Sequence, residues 1–234
     1  MSVLKASLIG ASLAVAVVCA LLVMAVLGVA PFARRGAAPG EGPVVIAFVL
    51  PGADAVMAPK VVDVYAPDPN GWTIRSVNPS TPVAVTGTAG STLADSYSFG
   101  GGPGLAAAAG SLTGREIRDW VNVDGSAWHD LYRSPTVPLR VPADIEVFDG
   151  AQLYPFAASD TSVAAGQLAL VLQGAGFLPP DYARDIRQQI GDVLGSTLAS
   201  SGAIAAPKVR SNLSETQLRE WLARVSSARR VSGS

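Results

Sequence analysis

Apolar and polar positions alternate in three different ways along this chain, and each predicts a different kind of element. The first pattern is no alternation at all. From Ala6 to Phe32 no charged residue or histidine interrupts an apolar run held between Lys5 and Arg34-Arg35. About 20 apolar residues cross the roughly 30 Å hydrocarbon core of a bilayer as one helix, so one transmembrane helix with a very short preceding tail is predicted. The alternative is a cleaved secretory signal, whose apolar region is usually only about 7–15 residues long. Pro31 fits poorly just after a cleavage site at Gly28-Val29-Ala30, and Arg34-Arg35 read as an interfacial stop, so an uncleaved anchor is favoured. Lys5 and the amino terminus balance the two arginines, leaving the positive-inside rule almost silent. A very short tail usually stays inside, which places the rest of the chain on the extracytoplasmic side of a cell membrane.

The second pattern is the strand. Val44 to Leu50 is continuously apolar and ends at Pro51-Gly52, as in a strand buried on both faces. Lys60 to Tyr65 alternates β-branched and polar residues, meets the turn signal Pro67-Asp68-Pro69-Asn70-Gly71, and returns as Trp72 to Val77, which predicts a hairpin. Shorter strands are expected at Pro82 to Thr86 and Glu116 to Val123. Pro138 to Phe148 reads as an edge strand, because Pro138 and Pro142 remove ladder donors.

The third pattern has the helical period. Leu105 to Leu112 is an Ala-rich helix closed by Gly114. A short helix carrying Trp128 and Leu131 is capped by Asp124 or Ser126, and Ala164 to Leu172 forms another. Tyr182 to Leu198 carries Tyr182, Ile186, Ile190, Val193, Leu194 and Thr197 on one face, with Asp181 as N-cap. Ser214-Glu215-Thr216-Gln217 is a capping box opening a last helix that buries Leu218, Trp221, Leu222 and Val225. Gly36 to Pro43 is a linker. Together these elements predict a three-layer α/β/α sandwich with a mixed central sheet over residues 44–228, followed by a short tail, 229–234.

Composition narrows the chemistry. The one cysteine, Cys19, lies in the apolar run, so the domain has no disulfide and no thiol nucleophile. Setting aside Lys5, Arg34 and Arg35, 14 basic residues face 18 acidic ones, a balance that excludes a basic nucleic-acid surface. His129 is the only histidine, which rules out zinc sites built on several histidines; no Gly-x-Ser-x-Gly elbow supplies a nucleophile for it to activate. Gly100 to Gly104 could cradle a phosphate, but no Gly-Lys-Ser/Thr follows, and such clusters more often turn the chain. Asp181, Arg184, Asp185 and Gln188 share one side of their helix, with Arg187 flanking them. On spacing alone that is a solvated, salt-bridged face; as a site, Arg184 would offer a planar fork to an anion and Asp181 would orient it.

Several of these segments resemble the LytR-CpsA-Psr proteins of bacterial cell envelopes, over most of the chain from Val44 onward. Asp181-Tyr-Ala-Arg184-Asp-Ile-Arg187-Gln188-Gln189 is similar to that family's Asp-Phe-Gly-Arg-x-x-Arg-Gln-Gln helix. Asp54-Ala55-Val56-Met57 resembles its Ser-Asp-Thr-Ile-Met segment, and Trp120-Val121-Asn122-Val123-Asp124 its Tyr-Val-x-Val-Asp run. Gly166-Gln167-Leu168-Ala169-Leu170 resembles its Gly-x-Gln-Ala-Leu helix, and Asn212-Leu213-Ser214 its Thr-Asp-Leu segment. The resemblance implies transfer of a glycopolymer from a polyprenyl-pyrophosphate carrier onto peptidoglycan. A magnesium ion would sit on Asp54, Arg184 and Arg187 would act on the diphosphate, and an apolar cavity would take the lipid. Ser80, Thr81, Asp181 and Gln188 would contact the substrate.

The chain departs from this pattern at two places. The family's Pro-Arg-Asp-Thr reads Asn78-Pro79-Ser80-Thr81, and the Arg-x-Arg pair expected after the Gln-Ala-Leu helix falls near Leu172-Gln173-Gly174. A charge-assisted hydrogen bond contributes about 1.5–3 kcal/mol, so losing about three arginines weakens diphosphate binding roughly a thousandfold or more. Arg75, Arg115, Arg118, Arg133 and Arg140 could replace them only if folding brings them to the same mouth. A transferase and a non-catalytic envelope binding or scaffold module are therefore both open.

Overall fold

A computed structural model describes residues 38–51, 56–85, 91–201 and 209–231. The predicted span, Ala6 to Phe32, lies outside them, and no helix among the described residues is long and apolar enough to cross a membrane.

The centre is a six-stranded mixed sheet. In spatial order it comprises β10 (Arg229–Arg230), β3 (Gly71–Ser76), β2 (Met57–Asp68), β1 (Val44–Pro51), β4 (Asp119–Asp124) and β9 (Val209–Ser211). β1 runs parallel to β4 and antiparallel to β2, and β2 and β3 form the expected hairpin. The unbroken apolar run of β1 has a direct cause: both its faces are covered. Val44, Ile46 and Phe48 enter one core, while Val45, Ala47 and Val49 enter another. The first core lies beneath α2 (Gly125–Leu131), α4 (Pro180–Ser201) and α5 (Glu215–Val225); the second lies beneath α1 (Leu93–Thr113). The layers are helix, sheet, helix, as the sequence predicts. α3 (Leu168–Ala175) packs on β6 (Ile145–Phe148), which pairs with β7 (Leu153–Phe156).

Tertiary packing moved several boundaries. Pro82 makes only an isolated bridge to Thr92, so the described part of the Pro82 to Thr86 segment forms no strand. The stretch Pro138 to Phe148 divides: Pro138 ends β5 (Thr136–Pro138), which pairs with β8 (Ser162–Ala164), and the strand resumes only at Ile145. α1 begins far ahead of Leu105, on a capping box between Thr92 and Asp95. Its glycine run lies inside the helical stretch, which breaks at Gly101 (φ 57°, ψ −147°). A Cβ on Gly102 would stand 2.2 Å from the Trp120 ring, and one on Gly104 2.5 Å from the Ser96 carbonyl oxygen. These glycines are there for close packing. At the other end, Arg229–Arg230, left to the tail by the sequence, form the sheet's edge strand.

α4 runs lengthwise over β2. Gly191 sits on Asp63, where a Cβ would come within 2.2 Å of Oδ2, and Gly195 sits on the Tyr65 hydroxyl. Arg230 closes this seam: its guanidinium donates to both Asp63 oxygens at 2.9 and 3.1 Å, to Asp192, and to the Ser76 hydroxyl.

Candidate functional site at the head of α4

Pro179-Pro180 starts α4, proline being suited to the first helical position, where no N–H is needed. Asp181 is thus inside the first turn and not the N-cap, and its carboxylate takes the Arg184 guanidinium in an exposed ion pair. Arg184 and Arg187, one turn apart, flank a cleft of about 100 Å³ whose other walls include Val61, Val62, Ser76 and Asn78. Arg187 is half-buried and makes no hydrogen bond or ion pair among the described residues. Burial first, then the neighbouring Arg184 charge, push its pKa below the ordinary guanidinium value. A cation held this way is stabilised by any anion that enters the cleft.

The remaining sequence-predicted residues divide. The turn Asn78–Thr81 abuts the cleft, but only Asn78 of its four residues lines it. Ser80 and Thr81 serve the turn: the Asn78 side chain accepts the Ser80 N–H at 3.1 Å, its carbonyl accepts the Thr81 N–H at 2.9 Å, and the Pro79 and Thr81 carbonyls accept the first N–H groups of α1. Gln188 does not line the cleft. Its neighbour Gln189 is bound in both directions to the Arg140 backbone, at 2.8 and 3.1 Å, and also to Asp185. The paired glutamines thus include a staple between α4 and residues 139–141. Asp54 lies outside the described residues. Among those described, no three metal-ligating side chains converge.

None of the five candidate replacement arginines lines the cleft. Arg75 and Arg115 line a separate cavity beside Thr113, Arg118 pairs with Glu116, and Arg133 lines a groove at the far end of α4. Arg140 touches α4 through its backbone. A second cavity of about 150 Å³ lies further along α4, lined by Ile46, Tyr65, Ile74, Gly195, Leu222 and Val225 among others. Both are small beside the roughly 300–1,000 Å³ of typical ligand pockets.

No family model and no curated protein matches the chain. Solved structures do. TagV of B. subtilis aligns with a TM-score of 0.55 at 18% identity, over 82% of this chain and 85% of that one. TagT bound to LI-WTA gives 0.58 at 11% identity, over 85% and 81%. The LytR-Csp2A-Psr enzyme from Actinomyces oris gives 0.57 at 15% identity, over 82% and 80%. The chain has the LytR-CpsA-Psr fold.

In this version of the LytR-CpsA-Psr fold, one participant escaped sequence reasoning: Arg230. Through Ser76 it stands behind the cleft wall, yet its charge is already committed to Asp63 and Asp192. Burial alone would lower its pKa, but the two carboxylates outweigh burial and raise it. Its nearest signal in sequence was Asp63, the one charged residue in the run Val61 to Ala66.

Proposed function

We propose that this is a membrane-anchored, extracytoplasmic LytR-CpsA-Psr protein of bacterial cell-wall assembly, which binds the diphosphate of a polyprenyl-linked glycopolymer at the Arg184–Arg187 cleft. One observation carries the proposal: Arg187 is a half-buried guanidinium beside Arg184, without a carboxylate partner among the described residues, at the head of the helix that resembles the family signature. TagT, of the same fold, is bound to LI-WTA. In the transfer reaction, an acceptor hydroxyl of peptidoglycan attacks the sugar-linked phosphorus, the bond to the polyprenyl phosphate breaks, and that phosphate leaves. The two guanidiniums would meet charge developing on the leaving oxygens. Magnesium on Asp54 would supply further charge neutralisation when bound; the described residues add no cluster to hold it.

A second reading, a binding or scaffold module without phosphotransfer, is favoured by the replacement arginines, none of which lines the cleft. Two experiments separate the cases. The full chain in detergent is melted with a polyprenyl diphosphate, with and without Mg²⁺. Binding at 100 times Kd stabilises by about 2.7 kcal/mol, and Arg184→Ala with Arg187→Ala should abolish the shift. Absence of any shift in the unaltered chain refutes diphosphate binding. With a glycan-linked polyprenyl diphosphate as substrate, peptidoglycan-dependent release of polyprenyl phosphate together with glycan joined to peptidoglycan then marks a transferase; binding without release marks the module.

A further inference from the structure

We propose that Arg230 is a plug: strand β10 holds its guanidinium between the Arg184–Arg187 cleft and the second cavity along α4, and an isoprenoid tail reaches that cavity only when β10 lets go. This control of access rests on the diphosphate reading of the cleft and concerns what lies behind it.

Three elements show the same succession of residues. Along α4, Arg184 and Arg187 line the cleft, Gly191 and Asp192 meet Asp63 and Arg230, and Gly195 and Ala199 line the cavity. Along β2, Val61 lines the cleft, Asp63 holds Arg230 and Tyr65 lines the cavity. Residues two apart on a strand share a face. Ser76 and Ile74 of β3 repeat the order. Cleft and cavity therefore lie end to end in one seam, with the Arg230 layer between them. The guanidinium spans the gap from Asp192 on α4 to Ser76 on β3 and also meets Asp63. Its side chain is only 16% exposed, so it fills the seam instead of lying over it.

Volume gives the plug its consequence. The cleft holds about 100 Å³ and the cavity about 150 Å³. Neither admits a tail of several isoprene units, since sites for ligands of that size run to roughly 300–1,000 Å³. The cavity wall suits such a tail: Ile46, Ile74, Leu222 and Val225 line it and are buried.

The plug is also built to withdraw. β10 is a two-residue edge strand, tied further to β3 by the Val231 N–H, which donates to the Ile74 carbonyl at 2.9 Å. Short elements with few backbone bonds open at the low end of a protein's local stabilities. Ser226 and Ala228 line the cavity, so movement of this segment draws back part of the wall together with the guanidinium. Asp63 and Asp192 favour the closed state. A tail that binds only the open state is weakened by the fraction of molecules open.

The test uses the full chain in detergent and two probes, geranylgeranyl diphosphate and geranylgeraniol, each with a benzophenone at the tail end. Labelled peptides are mapped by mass spectrometry. In Arg230→Ala combined with Asp63→Asn, which leaves no buried carboxylate unpaired, both probes should label the segment from Leu222 to Ala228 about tenfold or more above the unaltered chain. Arg184→Ala with Arg187→Ala should lower labelling by the diphosphate and not by the alcohol. If the two probes label alike and those arginines make no difference, the diphosphate reading fails while the plug stands. Should the Asp63–Arg230 variant fail to fold, amide exchange at Val231 in the unaltered chain decides: either probe should quicken it. Equal labelling of the segment with and without the plug, labelling confined elsewhere in both chains, or Val231 exchange unmoved by either probe would overturn the proposal.

Discussion

Arg187 and Arg230 share a side chain and differ in everything around it. Arg187 has a like-charged neighbour and, among the described residues, no carboxylate partner; Arg230 lies between two carboxylates and a hydroxyl. The first is the group proposed to meet an anion, the second ties three elements together. Asp63 is only 2% exposed, so Arg230→Ala would leave a buried, unpaired charge. Breaking such a pair costs about 3–5 kcal/mol, measurable as a lowered urea midpoint. Replacing Asp63 by Asn in the same chain should recover part of the loss. None of this was legible in sequence, where Arg229-Arg230 are a basic dipeptide near the carboxyl end and Asp63 lies 167 positions away.

At the scale of elements, α4 was legible because its apolar period repeats over five turns, and Ile186, Ile190, Leu194 and Leu198 are buried as that period requires. Its polar face was ambiguous, since the same spacing serves solvation, ion pairing and binding alike. In the structure Asp181 pairs with Arg184, Arg187 lines the cleft and Gln189 is tied to the Arg140 backbone. Gln189→Ala should therefore cost only about 1 kcal/mol, because water can reach the exposed Arg140 segment. Amide exchange should quicken at Arg140, and the diphosphate-induced thermal shift should survive. A lost shift with intact stability would instead make Gln189 part of the mouth. α1 failed to appear at full length because its glycines look like a loop; Trp120 and the Ser96 carbonyl, both close against it, explain them.

At the scale of the molecule, the edge strand β10 joins the end of the chain to the middle of the fold. It pairs with β3 while Arg230 reaches Asp63 on β2 and Asp192 on α4. Deleting residues 229–234 should destabilise the domain at least as much as Arg230→Ala, because strand pairing is lost with the ion pair. Thermal unfolding checks this; a deletion milder than the single substitution would show that β10 contributes nothing of its own. The same seam lies beside both small cavities along α4, since Ser76 lines one and Asp192 the other. A lipid chain would therefore have to part α4 from β2 against the Arg230 bonds.

By itself the sequence determined the strand that is buried on both faces, the first hairpin, the long helix, the capping box of the last helix, and the layered α/β architecture. These depend on local period and capping, which neighbouring residues encode. Only the tertiary structure decided which arginines share a cleft, that Asn78 and not Ser80 faces it, and that Arg230 meets Asp63 and Asp192. Such facts arise where residues far apart in the chain meet, and the charge, burial and pairing of a side chain exist only in that company.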